Sequence, residues 1–379
     1  MKEDGFSQNV EILDIEEVDT YHKLPPGKRS VYHDDMFMGY RRTDGSVGVR
    51  NEIWIIPTVN CVNPMIMKLE QEARAMVQGT VESIRSFPHP LGCSQLGHDL
   101  DNTQKILVNL IRHPNAAGVL VVGLGCETNQ ISKICDVLGE YDSNRVLFLQ
   151  IRDFEDEISA GLQMIEQLCA YSAQFQRSPV SCSELVIGIK GGRADGRVIL
   201  GHCPPLQHLA ANLIKKGGTA ILTEVPEIAS IDFFPDKTNF ANIAPISDDN
   251  KDIVCIRDVL TYGDPIKYKG LNILSSPAND PIAATALAAS GAHIILFATG
   301  GGSPFSAPVP VFKISSSIGF QYKNKSWFDY QLCTEEKHSD TYIADELYTY
   351  ILDIASGEHV KAEDNHYTEL AIWKQGVTL

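Results

Sequence analysis

The sequence predicts an α/β protein made of two parallel-sheet, Rossmann-like domains behind a flexible N-terminal arm. Short, continuous apolar runs such as Ile53-Trp-Ile-Ile56, Gly118-Val-Leu-Val-Val122 and His293-Ile-Ile-Leu-Phe297 have the length and composition of strands buried on both faces. Each run ends in glycine, proline or polar residues, and a stretch of helical length follows, which is the alternation of a parallel sheet. A chain of 379 residues with a hydrophobic fraction of 44% has ample material for two such cores.

The charge balance narrows the partners. With 48 acidic against 32 basic residues the net charge is −16, so neither a nucleic-acid backbone nor an anionic membrane would be attracted. No apolar run approaches the roughly 18 residues of a membrane helix. Met1-Lys-Glu-Asp-Gly5 lacks the basic-then-apolar order of a secretory signal, so a cytoplasmic location is expected. Nine cysteines, an odd number with no CxxC pair, read neither as a disulfide framework nor as a zinc ribbon or thioredoxin motif.

Residues 1–36 are polar, acidic and broken by Pro25-Pro26-Gly27, the composition of an arm with little core. The first α/β domain is expected over 37–178. Asp44-Gly45 marks a turn, and the strand at Ile53 runs straight into Pro57-Thr58-Val59-Asn60-Cys61, before a helix from about Met65 to Val77. Arg41, Arg42 and Arg50 bracket that strand. They are read either as surface salt-bridge partners or as bidentate holders of a carboxylate. The turn His89-Pro90-Leu91-Gly92-Cys93 packs an imidazole and a thiol together, and a helix from about Asn102 to Ile111 follows. The strand from Ala117 ends in Gly123-Leu-Gly125-Cys126-Glu127-Thr-Asn129, with helices expected near 131–138 and 155–173 around a strand at 145–151.

The polar stretch 174–183, containing Pro179, reads as a linker to a second α/β domain over 183–379. That domain opens with a strand ending at Lys190 and a Gly-rich turn, Gly191-Gly192-Arg193-Ala194-Asp195-Gly196, whose amides could seat an anionic group. The strand ending at Thr223-Glu224 repeats the device. Asp280 is the expected cap of a helix over 282–290. The strand from His293 runs into Thr299-Gly-Gly-Gly-Ser303-Pro-Phe305, the most site-like loop of this half. Further elements are a strand at 311–314 and a helix over 342–355. The apolar tail Glu369–Trp373 is expected to pack back on the protein.

Three turns of the first domain each deliver a cysteine, Cys61, Cys93 and Cys126. In a parallel sheet all strand ends lie on one edge, so the thiols would converge if their strands are neighbours. Thiolates with His89 nearby suit zinc, ferrous iron or an iron–sulfur cluster, and an open metal position suits removal of a β-hydroxyl. Plain burial is the competing reading of each cysteine, and packing is preferred for Cys135, Cys169, Cys182, Cys255 and Cys333.

At these residues the sequence resembles the altronate/galactarate dehydratase family. The matching motifs are Gly39-Tyr40-x-Arg42-x-Asp44-Gly45-x-x-Gly48-x-Arg50-Asn51, Asn60-Cys61, His89-x-x-Gly92-Cys93 and Gly123-x-Gly125-Cys126-Glu127-x-Asn129-Gln130. Later matches are Gly217-Gly218-Thr219-Ala220, Glu224-x-Pro226-Glu227 and Thr299-Gly300-x-Gly302-Ser303-Pro304-Phe305. The resemblance implies a lyase that removes water from a sugar acid to give a 2-keto acid, iron dependence, and a small companion domain or subunit. A related branch of the family eliminates sulfite from sulfolactate. The chain departs from the family pattern in its second half, at Gly191–Asp195, Val198, Cys203, Ile282-Ala283 and Gly301, which suggests a changed substrate or lost activity more than a changed fold.

The leading expectation is therefore a metal-assisted hydro-lyase. Iron would sit on Cys61, Cys93 and Cys126, with His89 or Glu127 as the base. Arg42, Arg50, Asn60, Asn129, Gly192, Asp195, Glu224, Thr299 and Ser303 would line the sugar acid. The competing expectations are a non-catalytic sugar-acid-binding subunit of the same fold and, on the Gly-rich turns alone, a nucleotide-dependent oxidoreductase. A homo-oligomer is expected.

Overall fold

A computed structural model describes residues 35–376, except 192, 195–196, 199–202, 224–255, 300–301, 316–325 and 333–338. Its first half runs β1 (Met36–Arg41), β2 (Val47–Gly48), β3 (Glu52–Pro57), α1 (Asn63–Ala73), β4 (Ser83–Ser86), α2 (Gly97–Arg112), β5 (Ala116–Gly123), α3 (Ile131–Leu138), β6 (Val146–Gln150), α4 (Glu157–Ser172) and β7 (Arg177–Ser181). The second half runs β8 (Val186–Gly191), β9 (Arg193–Ala194), β10 (Arg197–Val198), α5 (Pro204–Lys215), β11 (Thr219–Thr223), β12 (Ile256–Leu260) and β13 (Leu271–Leu274). It closes with α6 (Asp280–Ala289), β14 (Ile294–Thr299), β15 (Val311–Ser315), β16 (Tyr330–Gln331), α7 (Asp340–Ala355) and α8 (Lys361–Asp364).

The fold is α/β, as expected, with two parallel sheets. One has the order β4-β3-β5-β6 and the other β12-β13-β11-β8-β14-β15-β16. Alternate residues along each strand explain how they stack. Trp54 and Ile56 of β3, Val119 and Val121 of β5, and Ile295 and Phe297 of β14 all enter one shared core. Their sequence neighbours point the other way: Ile53, Ile55, Leu120 and Val122 pack under α1 and α4, and Leu296 and Ile189 pack against α5 and α7. Helices α2 and α6 sit between the sheets and pack on each other. The Ala-rich sequence of α6, buried along most of its length, permits that close approach.

Two sequence expectations are corrected. The stretch read as a linker contains β7, which pairs antiparallel with β1, Met38 opposite Pro179, in a small sheet ordered β2-β1-β7. Proline is tolerated there because β7 is an edge strand, where its missing N–H breaks no ladder. The cap of α6 is Asn279, whose side chain accepts the Ile282 N–H, and Asp280 lies one residue inside the helix. The tail does pack back: Leu370 and Ile372 are buried, and the Gln375 and Gly376 amides donate to Asp99 at the start of α2.

Candidate active site

The first sheet begins with β3, adds β4 on one side, and continues through β5 and β6 on the other. Its order therefore reverses between β3 and β5, the place where open α/β sheets form a ligand crevice beyond their carboxyl ends. Cys61, Cys93 and Cys126 lie on the loops that leave β3, β4 and β5, and all three are exposed. Hydrogen bonds lace these loops together. Asn60 N donates to Leu91 O at 2.8 Å, and Thr128 donates from both its amide and its hydroxyl to Cys93 O. Asn63 Nδ2 donates to His89 O.

The polar residues expected beside the thiols turn inward. Glu127 is buried and accepts from the Thr58 hydroxyl at 2.6 Å and from the amides of Leu124 and Gly125 at 3.1 and 2.7 Å. Its carboxylate is thus the keystone of the turn. Gly125 follows with φ at 102°, and a Cβ at Gly123 would lie 2.8 Å from Glu127 Oε1, so glycine is required at both positions. Asn129 accepts from Gln104 and donates to Thr58 O. Asn60 stays half-exposed and accepts from the Cys61 thiol. Replacing Glu127 by Gln trades an acceptor oxygen for an NH2 that faces donors. The expected loss is about 1.5–3 kcal/mol in urea unfolding, with faster labelling of Cys126 by a thiol reagent; unchanged stability would show that the carboxylate does not hold the turn.

His89 is likewise committed to the fold. Its Nε2 donates to Pro57 O at 3.0 Å and its Nδ1 accepts the Leu91 N–H, while burial pushes it down to about 4. His113 repeats the device, accepting the Asn115 N–H and bonding Ala292 O. Both occur in His-Pro-x: proline has no N–H, so the ring reaches the amide one residue further on. Two amide atoms near the thiols remain buried without a partner, Asn63 Oδ1 and Gln95 Nε2.

On the second sheet, Thr299 is buried at the end of β14 and its hydroxyl accepts the Gly302 N–H; Ser303 is half-exposed in the same loop. Thr223, at the end of β11, shares a hydrogen bond with Ser276. Gly192, Asp195 and Glu224 lie outside the described residues.

A family model of the second domain of D-galactarate dehydratase/altronate hydrolase matches residues 39–173, and one of the C-terminal part of D-galactarate/altronate dehydratase matches 250–378. The altronate dehydratase of Bacillus subtilis (strain 168) is 36% identical over 96% of this chain and 83% of its own length. The altronate dehydratase of Escherichia coli (strain K12) is also 36% identical, over 90% and 78%. The chain belongs to the altronate/galactarate dehydratase family. A (2R)-sulfolactate sulfo-lyase subunit beta of Chromohalobacter salexigens is a more distant relative, 26% identical over 51% of this chain and 47% of its own.

Among the described residues no group of three or more His, Cys, Asp and Glu side chains is placed to hold a metal ion. His89 has no lone pair to give, because Nδ1 accepts the Leu91 N–H and Nε2 donates to Pro57 O.

The arginines are corrected too. Arg42 donates to Pro114 O, Asn51 Oδ1 and Arg50 O, and Arg50 is clamped to Glu363 with its remaining N–H groups on the carbonyls of Val49, Ile354 and Glu358. Both are buried, and their donors are spent on the protein itself. Sequence reasoning missed two lysines, Lys190 near the carboxyl end of β8 and Lys313 in the middle of β15, both buried. The available signal was a charge inside otherwise apolar runs, Val186-Ile-Gly-Ile-Lys190 and Val311-Phe-Lys313-Ile314.

Proposed function

We propose that the chain is a hydro-lyase that removes water from altronate or a closely similar aldonic acid to give a 2-keto acid. One observation carries this: 36% identity to an altronate dehydratase along 96% of the chain. The reaction takes a proton from the carbon beside the carboxylate and releases hydroxide from the next carbon, and the enol left behind becomes the ketone. His89 and Glu127 are removed as bases by their own hydrogen bonds. At the first switch point the groups left open to a ligand are the three thiols and Asn60, with the unpaired amide atoms of Asn63 and Gln95 buried behind them.

The test is anaerobic purification followed by altronate turnover, read as 2-keto acid formation, with Cys61→Ser, Cys93→Ser and Cys126→Ser in parallel. Wild type is expected to form product, and each serine variant to lose at least about tenfold in rate, corresponding to about 1.4 kcal/mol of barrier. Iron and sulfide quantitation on the same preparations tests the expected cofactor. Failure to turn over altronate or galactarate in any preparation would overturn the reading. Sugar-acid binding without turnover is the second reading, favoured by the altered residues Gly191–Asp195 and Gly301.

A further inference from the structure

The second sheet has its own reversal of order. β8 has β11, β13 and β12 on one side and β14, β15 and β16 on the other, so the crevice position falls at the ends of β8 and β14. There Lys190 of β8 and Lys313 of β15 stand in one register row with Phe297 of β14 between them. Strand alternation puts both lysines on the face that meets the shared core. Val311 and Phe297 enter that core, while Phe312 and Ile189 enter the outer one.

Both side chains are buried, Lys190 at 0% exposure and Lys313 at 1%. Lys190 reaches Asp280 at 2.9 Å. Lys313 differs: among the described residues its ammonium makes neither a hydrogen bond nor an ion pair. It lies 5.1 Å from the ring centre of Phe305 and 6.0 Å from that of Tyr367. Asp329 and Glu369 act on it at longer range, but both oxygens of Asp329 already accept backbone amides, from Lys313 and Lys361. Burial pushes Lys313 down to about 8 against the pull of those two carboxylates. A buried ammonium with no carboxylate in direct contact is costly, and an arriving anion would relieve it. A cavity of about 340 Å³, lined by Pro304, Ser306, His366, Tyr367, Thr368 and Glu369, borders one of these rings, that of Tyr367. Its hydroxyls suit a polyhydroxylated ligand.

We propose that Lys313 receives the carboxylate of the hydroxy acid at this second switch point, with Lys190 adding to the positive field from two strands away. The proposal rests on the sugar-acid reading above and deepens it. In that role the charge also steadies the enediolate that forms as the α-proton leaves.

The test compares wild type, Lys313→Met and Lys313→Arg in the full chain, each with altronate as probe, by thermal shift and by turnover. Methionine fills the same apolar space without the charge, so Lys313→Met is expected to melt at or above the wild-type temperature. It should lose the altronate-induced shift and raise KM at least about tenfold, while Lys313→Arg keeps part of both. A Lys313→Met enzyme with wild-type KM and wild-type shift would overturn the proposal and leave the dehydratase reading standing. Altronate stabilisation of wild type but not of Lys313→Met, with no product from either, would keep the anchor and overturn the eliminating activity. No stabilisation and no turnover of altronate or galactarate by wild type sinks both.

Discussion

Replacing Arg50 by methionine is expected to destabilise the chain by about 3–5 kcal/mol, a large share of the roughly 5–15 kcal/mol that holds a typical domain together. The Arg50 side chain is 2% exposed, and it meets both oxygens of Glu363, 313 residues away, at 2.7 and 2.8 Å. Burial alone would push the Glu363 carboxyl up; the guanidinium overcomes that and holds it below the usual range. Without the arginine a carboxylate is stranded inside and three backbone carbonyls lose their donor. The double variant Arg50→Met/Glu363→Gln removes both charges together and should recover a good part of the loss. Urea midpoints measure both effects. An Arg50→Met protein that melts like wild type but binds sugar acid poorly would return Arg50 to the role of carboxylate holder.

Stability is also expected to fall steeply as the pH drops from about 6.5 towards 4. His89, His113 and His293 are buried and neutral; burial pushes them from the ordinary 6.5 down to about 4, about 3 and about 4, with neighbouring His293 adding to the shift at His113. The unfolded chain takes up these protons near pH 6.5 and the folded chain does not, so unfolding is favoured as acid is added. Asp329 works in the opposite direction, because burial lifts it from 3.8 to about 6 and the folded state binds its proton first. About two net protons remain, worth about 2.7 kcal/mol per pH unit between pH 6 and 4. Urea titrations at pH 7, 6 and 5 read this slope. His113→Gln should reduce it by about 1.4 kcal/mol per unit. Equal midpoints at pH 7 and 5 would mean that the rings are charged in the fold.

The elements were legible wherever an apolar run was bounded by glycine or polar residues. The helix over Ile131–Leu138 and the strand through Val119–Val122 both stand where their sequence periodicity puts them. β7 was hidden because its exposed residues and Pro179 carry no alternation, and only pairing with β1 makes it a strand. At the site, the sequence placed three cysteines on neighbouring strand ends, which follows from the chain order of β3, β4 and β5. It misassigned the polar groups between them. Arg50 has its partner more than three hundred residues downstream, and His89 is fixed by a carbonyl before one turn and an amide after the next. Such commitments are made by backbone direction, which residue type does not encode. Lys313 escaped notice for the converse reason: a single lysine in a strand reads as an edge residue until the layers on both sides are known.

The middle layer has an evolutionary corollary. Trp54, Phe87, Ile295 and Phe297 fill one volume from opposite sheets, so enlarging one demands a compensating reduction in the other half of the polypeptide. The outer layers under α1 and α4, or under α5 and α7, answer to only one sheet each and can be rebuilt separately. Substitutions among relatives should therefore travel in cross-half pairs at the middle positions and drift independently at the periphery.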